Sequence, residues 1–335
     1  MSNSKKPKVG ILGSGSFATA LVKIFSDNGT IEIFWWIKKP ELANQVQKLH
    51  HNPKYLSSVP ISLPDEHISS DLVKIVNICD WILLAIPAAF LQKELIVLSS
   101  KSFRGKKIIT VIKGMIPEEN LVVAEFMNRF YDVEIKNIVV VTGPCHAEEI
   151  AQEKLSYLTM ASVKPQESDL VCSYFNTSYV KTQTSNDLYG VELASVLKNI
   201  MSLASGIFRG LGYGDNFQAV FISCALREME SFLNKLYPIN RNIMESAYLG
   251  DLLVTAYSQF SRNRNFGTMV GKGYSVKSAS LEMNMIAEGY FASASIQYLI
   301  ETHHLKMPIL ETVYRILYLG SNPGTEMLNL TASLH

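Results

Sequence analysis

Short, nearly unbroken apolar runs recur through the first half of the chain, and each stops at glycine, proline or lysine. Residues 8–12 break on Gly13 and Gly15, 31–37 on Lys38 and Lys39, and 81–86 on Pro87; 107–112 run into Lys113 and Gly114, and 138–142 meet Gly143 and Pro144. Such runs suit parallel strands buried on both faces. Helical spacing follows several of them, first after Gly15, so strand and helix alternate. That alternation predicts a doubly wound, mainly parallel sheet, whose ligands sit beyond the carboxyl ends of the strands. Residues 40–79 open with a helix-like segment, and a Pro- and Ser-containing stretch at 52–64 reads as an extended surface connection. From about Asn186 the strand-like runs cease. Residues 188–208, 216–236, 276–305 and 308–319 carry helical patterns instead. The expected architecture is α/β, with an N-terminal Rossmann-like doubly wound, mainly parallel sheet over 1–185 and an all-α C-terminal domain over 186–335.

A length of 335 residues accommodates two domains, each with its own core. Composition is that of a globular protein, 47% hydrophobic and 18% charged. A net charge of +1 provides no polybasic field, which argues against nucleic acid or an anionic membrane surface as partner. Lys5, Lys6 and Lys8 read as a solvated tail, and the glycines that interrupt the following apolar run rule against a signal peptide. Neither apolar stretch of interest reads as a membrane span. Residues 80–91 are short and contain Pro87, and 188–208 carry Glu192, Lys198 and Asn199. The cysteines, Cys79, Cys145, Cys172 and Cys224, are scattered without metal-ligand spacing, which predicts reduced thiols in a cytoplasmic protein.

Chemistry enters first at the turn after residue 12, where Gly13, Gly15 and Ala18 form the Gly-x-Gly-x-x-Ala pattern of a dinucleotide site. Gly13 permits the reversal, Gly15 lets the backbone approach a pyrophosphate, and the helix that follows offers its first N–H groups to the phosphates. An NAD site places an acid near the end of the second strand. Here Lys38 and Lys39 stand there, favouring NADP(H), with exposed lysines as the plain alternative. Lys113 follows a strand at the edge where ligands bind. Lys198 lies mid-helix among Val191, Ala194, Ser195, Met201 and Ser202, with no carboxylate on that face. It is either an acid or base tuned by desolvation or a lysine snorkelling from a core helix. A dense segment at 249–273 adds Asp251, which could hold a lysine, and Arg262 and Asn263, whose planar donors suit a phosphate dianion. The glycines around them, Gly267, Gly271 and Gly273, would give a ligand close backbone access.

Taken in order, residues 13–21, Lys113-Gly114, 143–149, 190–199, 212–216, 250–255, 261–267 and Glu288-Gly289 resemble the bacterial NAD(P)-dependent glycerol-3-phosphate dehydrogenases along nearly the whole chain. The resemblance implies reversible hydride transfer between NAD(P)H and dihydroxyacetone phosphate, giving sn-glycerol 3-phosphate for phospholipid synthesis, in a homodimer. It implies Lys198 as general acid and base, Lys113 beside it, and Asp251 orienting the lysine. Gly143, Cys145, Asn199, Thr255, Ser261, Arg262 and Asn263 match its substrate positions. Gly13, Ser14, Gly15, Ser16, Phe17, Lys38, Lys113, Ala147, Arg262, Ile286 and Glu288 match its nucleotide positions.

The chain departs from the family at Phe17-Ala18, Lys38-Lys39, Cys145-His146 and Cys224-Ala225. A thiol at 145 is a poorer donor than the usual hydroxyl. Two other readings compete: a β-hydroxyacid dehydrogenase of the same two-domain plan, and a nucleotide-binding scaffold without chemistry. The Arg262-Asn263 pair favours phosphate over carboxylate, and a scaffold has no use for a desolvated lysine beside an anion site.

Overall fold

In the computed structural model, which describes residues 6–283 and 287–334, each apolar run of the first half is a strand. They are β1 (Lys8–Leu12), β2 (Glu32–Trp36), β4 (Trp81–Leu84), β5 (Lys107–Thr110) and β8 (Ile138–Thr142). The sequence pattern missed β3 (Ile68–Ser69), the hairpin strands β6 (Met115–Ile116) and β7 (Leu121–Val122), and the pair β9 (Ser156–Ala161) and β10 (Val180–Ser185). The physical reasons differ. β3 is two residues long, and β10 is an edge strand of polar sequence in which only Val180 is buried.

Eight strands form one sheet in the order β10-β9-β8-β5-β4-β1-β2-β3. Pairing is parallel from β3 through β8, antiparallel between β8 and β9, and parallel again between β9 and β10. The chain winds outward from β1 through β2 to β3, then from β4 through β5 to β8. The winding reverses between β1 and β4, which makes the carboxyl end of β1 the switch point where such sheets bind ligands. The turn carrying Gly13 and Gly15 lies there.

Two compact units divide the chain. One comprises Met1–Ile112 with Val123–Leu188, and the other Lys113–Val122 with Tyr189–His335. The second unit is helical apart from the β6–β7 hairpin. Leu188–Gly210 is long and apolar enough to cross a membrane, but its most apolar stretch is wholly buried within the protein. It is a core helix. The dense segment at 249–273 folds into the end of a π-helical turn (Ser246–Gly250) and the helices Asp251–Tyr257 and Arg262–Gly271. The helical pattern at 276–305 resolves into Val276–Glu282 and Glu288–Thr302.

Leu188–Gly210 and Arg262–Gly271 meet backbone to backbone, because each presents two glycines four residues apart. A Cβ on Gly206 would stand 2.1 Å from the Arg264 carbonyl oxygen, and one on Gly267 would stand 2.0 Å from that of Leu203. Gly210 and Gly271 are equally closed. The expectation that Gly267 and Gly271 serve ligand access is therefore corrected: they bring two helices together. Gly289 makes a third such approach, with the Asn199 carbonyl oxygen 2.6 Å from where its Cβ would be.

Candidate active site

Lys198 projects from the Leu188–Gly210 helix and is 5% exposed. Its own helical face has no carboxylate, but Asp251 at the start of the neighbouring helix supplies one, itself 1% exposed. Asp251 Oδ1 lies 2.9 Å from Lys198 Nζ, and Oδ2 lies 2.9 Å from Lys113 Nζ. One buried carboxylate thus bridges two ammonium groups. Burial alone would raise the Asp251 pKa, but the charges of Lys113 and Lys198 outweigh it and hold the carboxyl below the ordinary aspartate value. The π-helical turn immediately before Asp251 is a local distortion of the kind found at functional sites, and it sets the angle at which this side chain enters.

Thr255, one turn beyond Asp251, completes the clamp. Lys198 Nζ donates to Thr255 Oγ1 at 2.6 Å, and that hydroxyl donates to the Asp251 carbonyl oxygen at 2.6 Å. Two of the ammonium's donors are thereby directed, which fixes the side chain. Asn199 Nδ2 donates to the Lys113 carbonyl at 2.7 Å, tying the segment before the β6–β7 hairpin to the core helix. Ser202 extends the polar seam, donating to the Thr255 carbonyl at 2.7 Å and lying 3.0 Å from Ser261 Oγ.

Ser261 caps the Arg262–Gly271 helix by accepting from the Arg264 N–H. Arg262 and Asn263 therefore occupy the first turn of a helix, where N–H groups and the positive end of the dipole favour an anion. Asn263 is buried, and its Oδ1 accepts from the Gly289 N–H at 2.9 Å. That bond orients the amide and accounts for Glu288-Gly289 as a unit. The site thus sets two ammonium groups against one carboxylate in a mostly buried place. It can bind an anion and stabilise a developing oxyanion.

The remaining predicted positions belong to the first unit, apart from Ile286 and Glu288, the latter opening the Glu288–Thr302 helix. Gly13 adopts φ +135°, and a Cβ there would lie 2.4 Å from the Ala85 carbonyl oxygen, so only glycine fits. Gly15 has open space where a Cβ would be. It also precedes the Ser16–Asn28 helix, whose N-terminus has no side-chain cap. Ser14, Ser16 and Phe17 surround this opening. Gly143, at φ +124°, lets β9 approach, with the Tyr157 carbonyl oxygen 2.6 Å from its missing Cβ. Cys145 follows β8, and Ala147 is buried at the head of the Ala147–Ala151 helix. Ile286 lies outside the described residues. Lys38 carries a feature that the sequence pattern did not anticipate: its ammonium pairs with Glu94 at 2.5 Å, so a carboxylate stands at the end of β2 after all.

Comparison with known proteins decides among the readings. The family models for the N-terminus and the C-terminus of NAD-dependent glycerol-3-phosphate dehydrogenase match residues 8–168 and 187–328. The Bacillus subtilis glycerol-3-phosphate dehydrogenase [NAD(P)+] is 33% identical over 97% of this chain and 94% of its own length. The chain belongs to the glycerol-3-phosphate dehydrogenase family. The Staphylococcus carnosus enzyme of the same name is 32% identical, over 93% of both chains. The crystal structure of glycerol-3-phosphate dehydrogenase from Coxiella burnetii superposes with a TM-score of 0.88 at 26% identity, covering 97% of this chain and 99% of that one. Both halves of the family are thus present, in order.

Proposed function

We propose that this protein transfers hydride reversibly between NAD(P)H and dihydroxyacetone phosphate, forming sn-glycerol 3-phosphate. Family membership supports the reaction, and the observation that carries the chemistry is the buried bridge from Lys198 through Asp251 to Lys113. In reduction, Lys198 Nζ would give a proton to the carbonyl oxygen as it becomes an alkoxide, and in oxidation it would take the hydroxyl proton back. Asp251 and Thr255 hold that ammonium in one direction, and Lys113 adds a second positive charge for the oxyanion and the substrate. Arg262 and Asn263 would bind the phosphate at the head of their helix, with Asn199, Ser261, Gly143 and Cys145 as further substrate positions.

The first unit fits a nicotinamide dinucleotide at the turn 13–17, where the glycine geometry leaves an open approach to an uncapped helix N-terminus. The dinucleotide supplies the hydride when bound. Ala147, Lys113, Arg262, Ile286 and Glu288 are the further nucleotide positions of this proposal, and Lys38 is the one nearest a 2′-phosphate on the ribose. Because Glu94 already pairs with Lys38, NADPH and NADH are both expected as substrates.

The test is to follow NADPH and NADH oxidation with dihydroxyacetone phosphate in the wild type and in Lys198→Ala. Turnover by wild type with at least one cofactor is expected, and a loss of about 10²–10⁴-fold in kcat in the variant. Absence of wild-type turnover with both cofactors refutes the reaction, and an unchanged variant removes Lys198 from the proton step.

A further inference from the structure

The turn after β1 is held from beneath by two side chains. Trp35 of β2, fully buried, donates from Nε1 to the Gly13 carbonyl oxygen at 2.6 Å. Asn52 is also fully buried, contrary to the expectation of a surface connection at 52–64, and donates from Nδ2 to the Ser14 carbonyl oxygen at 3.1 Å and to Thr19 Oγ1 at 2.9 Å. Its Oδ1 accepts from the N–H groups of Lys54 and Tyr55, so the amide is fixed at both ends. Thr19 Oγ1 passes the contact on, donating to the Gly15 carbonyl at 3.1 Å.

Peptide geometry gives these contacts a consequence. The C=O and N–H of a trans peptide point in opposite directions, and the described residues contain no cis peptide. The Gly13 carbonyl shares its peptide with the Ser14 N–H, and the Ser14 carbonyl shares its peptide with the Gly15 N–H. Drawing both carbonyls inward to Trp35 and Asn52 turns both N–H groups outward. They join the first N–H groups of the Ser16–Asn28 helix, whose N-cap residue, Gly15, has no side chain to cap them. A turn between two glycines has little intrinsic resistance to a peptide flip. A flip here would present a carbonyl oxygen to an anion instead of an N–H.

We infer that Trp35 and Asn52 are positioning residues for dinucleotide binding, clamping the carbonyls of Gly13 and Ser14 so that the N–H groups of Ser14 and Gly15 are aimed in advance at the pyrophosphate. The inference rests on the reading of this turn as the nucleotide site. Both residues are buried and act through the backbone.

Trp35→Phe removes the indole N–H and keeps an aromatic ring, and Asn52→Asp keeps the shape while replacing the donor with an acceptor. The measurements are affinity for NADPH and NADH, affinity for 2′-AMP, which has no phosphate on its 5′ side, the KM for dihydroxyacetone phosphate, and the unfolding temperature. Each variant should bind the dinucleotides about tenfold more weakly, the loss of one buried donor group. Affinity for 2′-AMP and the KM for dihydroxyacetone phosphate should stay within about twofold. Unchanged dinucleotide affinity overturns the inference. Equal losses for both kinds of nucleotide do the same, since they mark a role in folding alone. If the variants do not fold, hydrogen exchange in the wild type decides: NADPH should slow the Ser14 and Gly15 amides, and unaltered exchange is the overturning result. A wild type that binds neither NADPH nor NADH refutes the nucleotide reading of the turn and takes this inference with it.

Discussion

Asp251 is the residue on which the site turns, because its one buried carboxylate pairs with both Lys113 and Lys198. Removing it strands two ammonium groups, and breaking a buried pair in this way costs about 3–5 kcal/mol. Asp251→Asn should therefore lower the denaturation midpoint as well as kcat, with the activity loss exceeding tenfold, as steady-state assays and urea titration will report. The depressed pKa also has a definite sign. Its stabilisation is present above the ordinary carboxylate range and is lost as pH falls through the lowered value. Cofactor choice belongs to the same scale. Lys38→Asp should lower the NADPH to NADH ratio of kcat/KM, and Glu94→Gln should raise it by releasing Lys38 from its partner. A ratio that moves in neither variant places discrimination elsewhere. The lysines, Asp251 and the Arg262-Asn263 pair were legible from residue type and family resemblance. Pairing of Asp251 with a lysine was anticipated, but its bridging of two was not, because Lys113 and Lys198 lie far from it in sequence and only packing brings each within 3 Å of its carboxylate.

Close contact between helices sets the position of the turn that carries Arg262 and Asn263, the proposed phosphate contacts. Gly206, Gly210, Gly267 and Gly271 allow Arg262–Gly271 to lie directly on the core helix, and Asn263 reaches the Gly289 N–H from there. Gly267→Ala must push the helices apart, since its Cβ would overlap the Leu203 carbonyl oxygen. A loss of about 1–3 kcal/mol is expected. The KM for dihydroxyacetone phosphate should rise while that for NADPH changes little. Gly214→Ala is the control, because open space surrounds its position, and its midpoint should stay within about 1 kcal/mol of wild type. Periodicity located Leu188–Gly210, Asp215–Leu236 and Pro308–Tyr318, ran Val276–Glu282 and Glu288–Thr302 together, and did not show this packing. Glycine at a helix interface and glycine in a ligand loop look alike in a sequence, and the neighbour across the interface tells them apart. Edge strand β10 escaped notice for a related reason: one face of apolar residues is not required where half the strand meets solvent.

At the scale of the whole chain, stability should fall on both sides of an optimum, because its buried carboxylates shift in opposite directions. Glu228 is buried beneath the Pro308–Tyr318 helix and accepts from the N–H groups of Ile309 and Leu310 at 3.0 Å each. Burial outweighs those bonds and pushes its pKa up to about 7. The stabilisation of its protonated form is complete below the ordinary glutamate value of 4.5 and is lost as pH rises through about 7. Between about pH 5 and about pH 8, wild-type stability should decline by up to a few kcal/mol, and Glu228→Gln should flatten that decline in urea titrations. A variant with the wild-type slope assigns the decline to other groups. The sequence by itself determined the α/β plan, the strand-ending glycines, the helical second half and the residue types of the chemistry, because these follow from local periodicity, backbone sterics and side-chain charge. Only the tertiary structure decided that residues 113–122 pack with the second unit and that one aspartate serves two lysines. It likewise decided that a tryptophan and an asparagine from outside the glycine turn hold that turn's carbonyls. Each of these is a contact between distant segments, and the direction of a hydrogen bond exists only once the backbone of both partners has been placed.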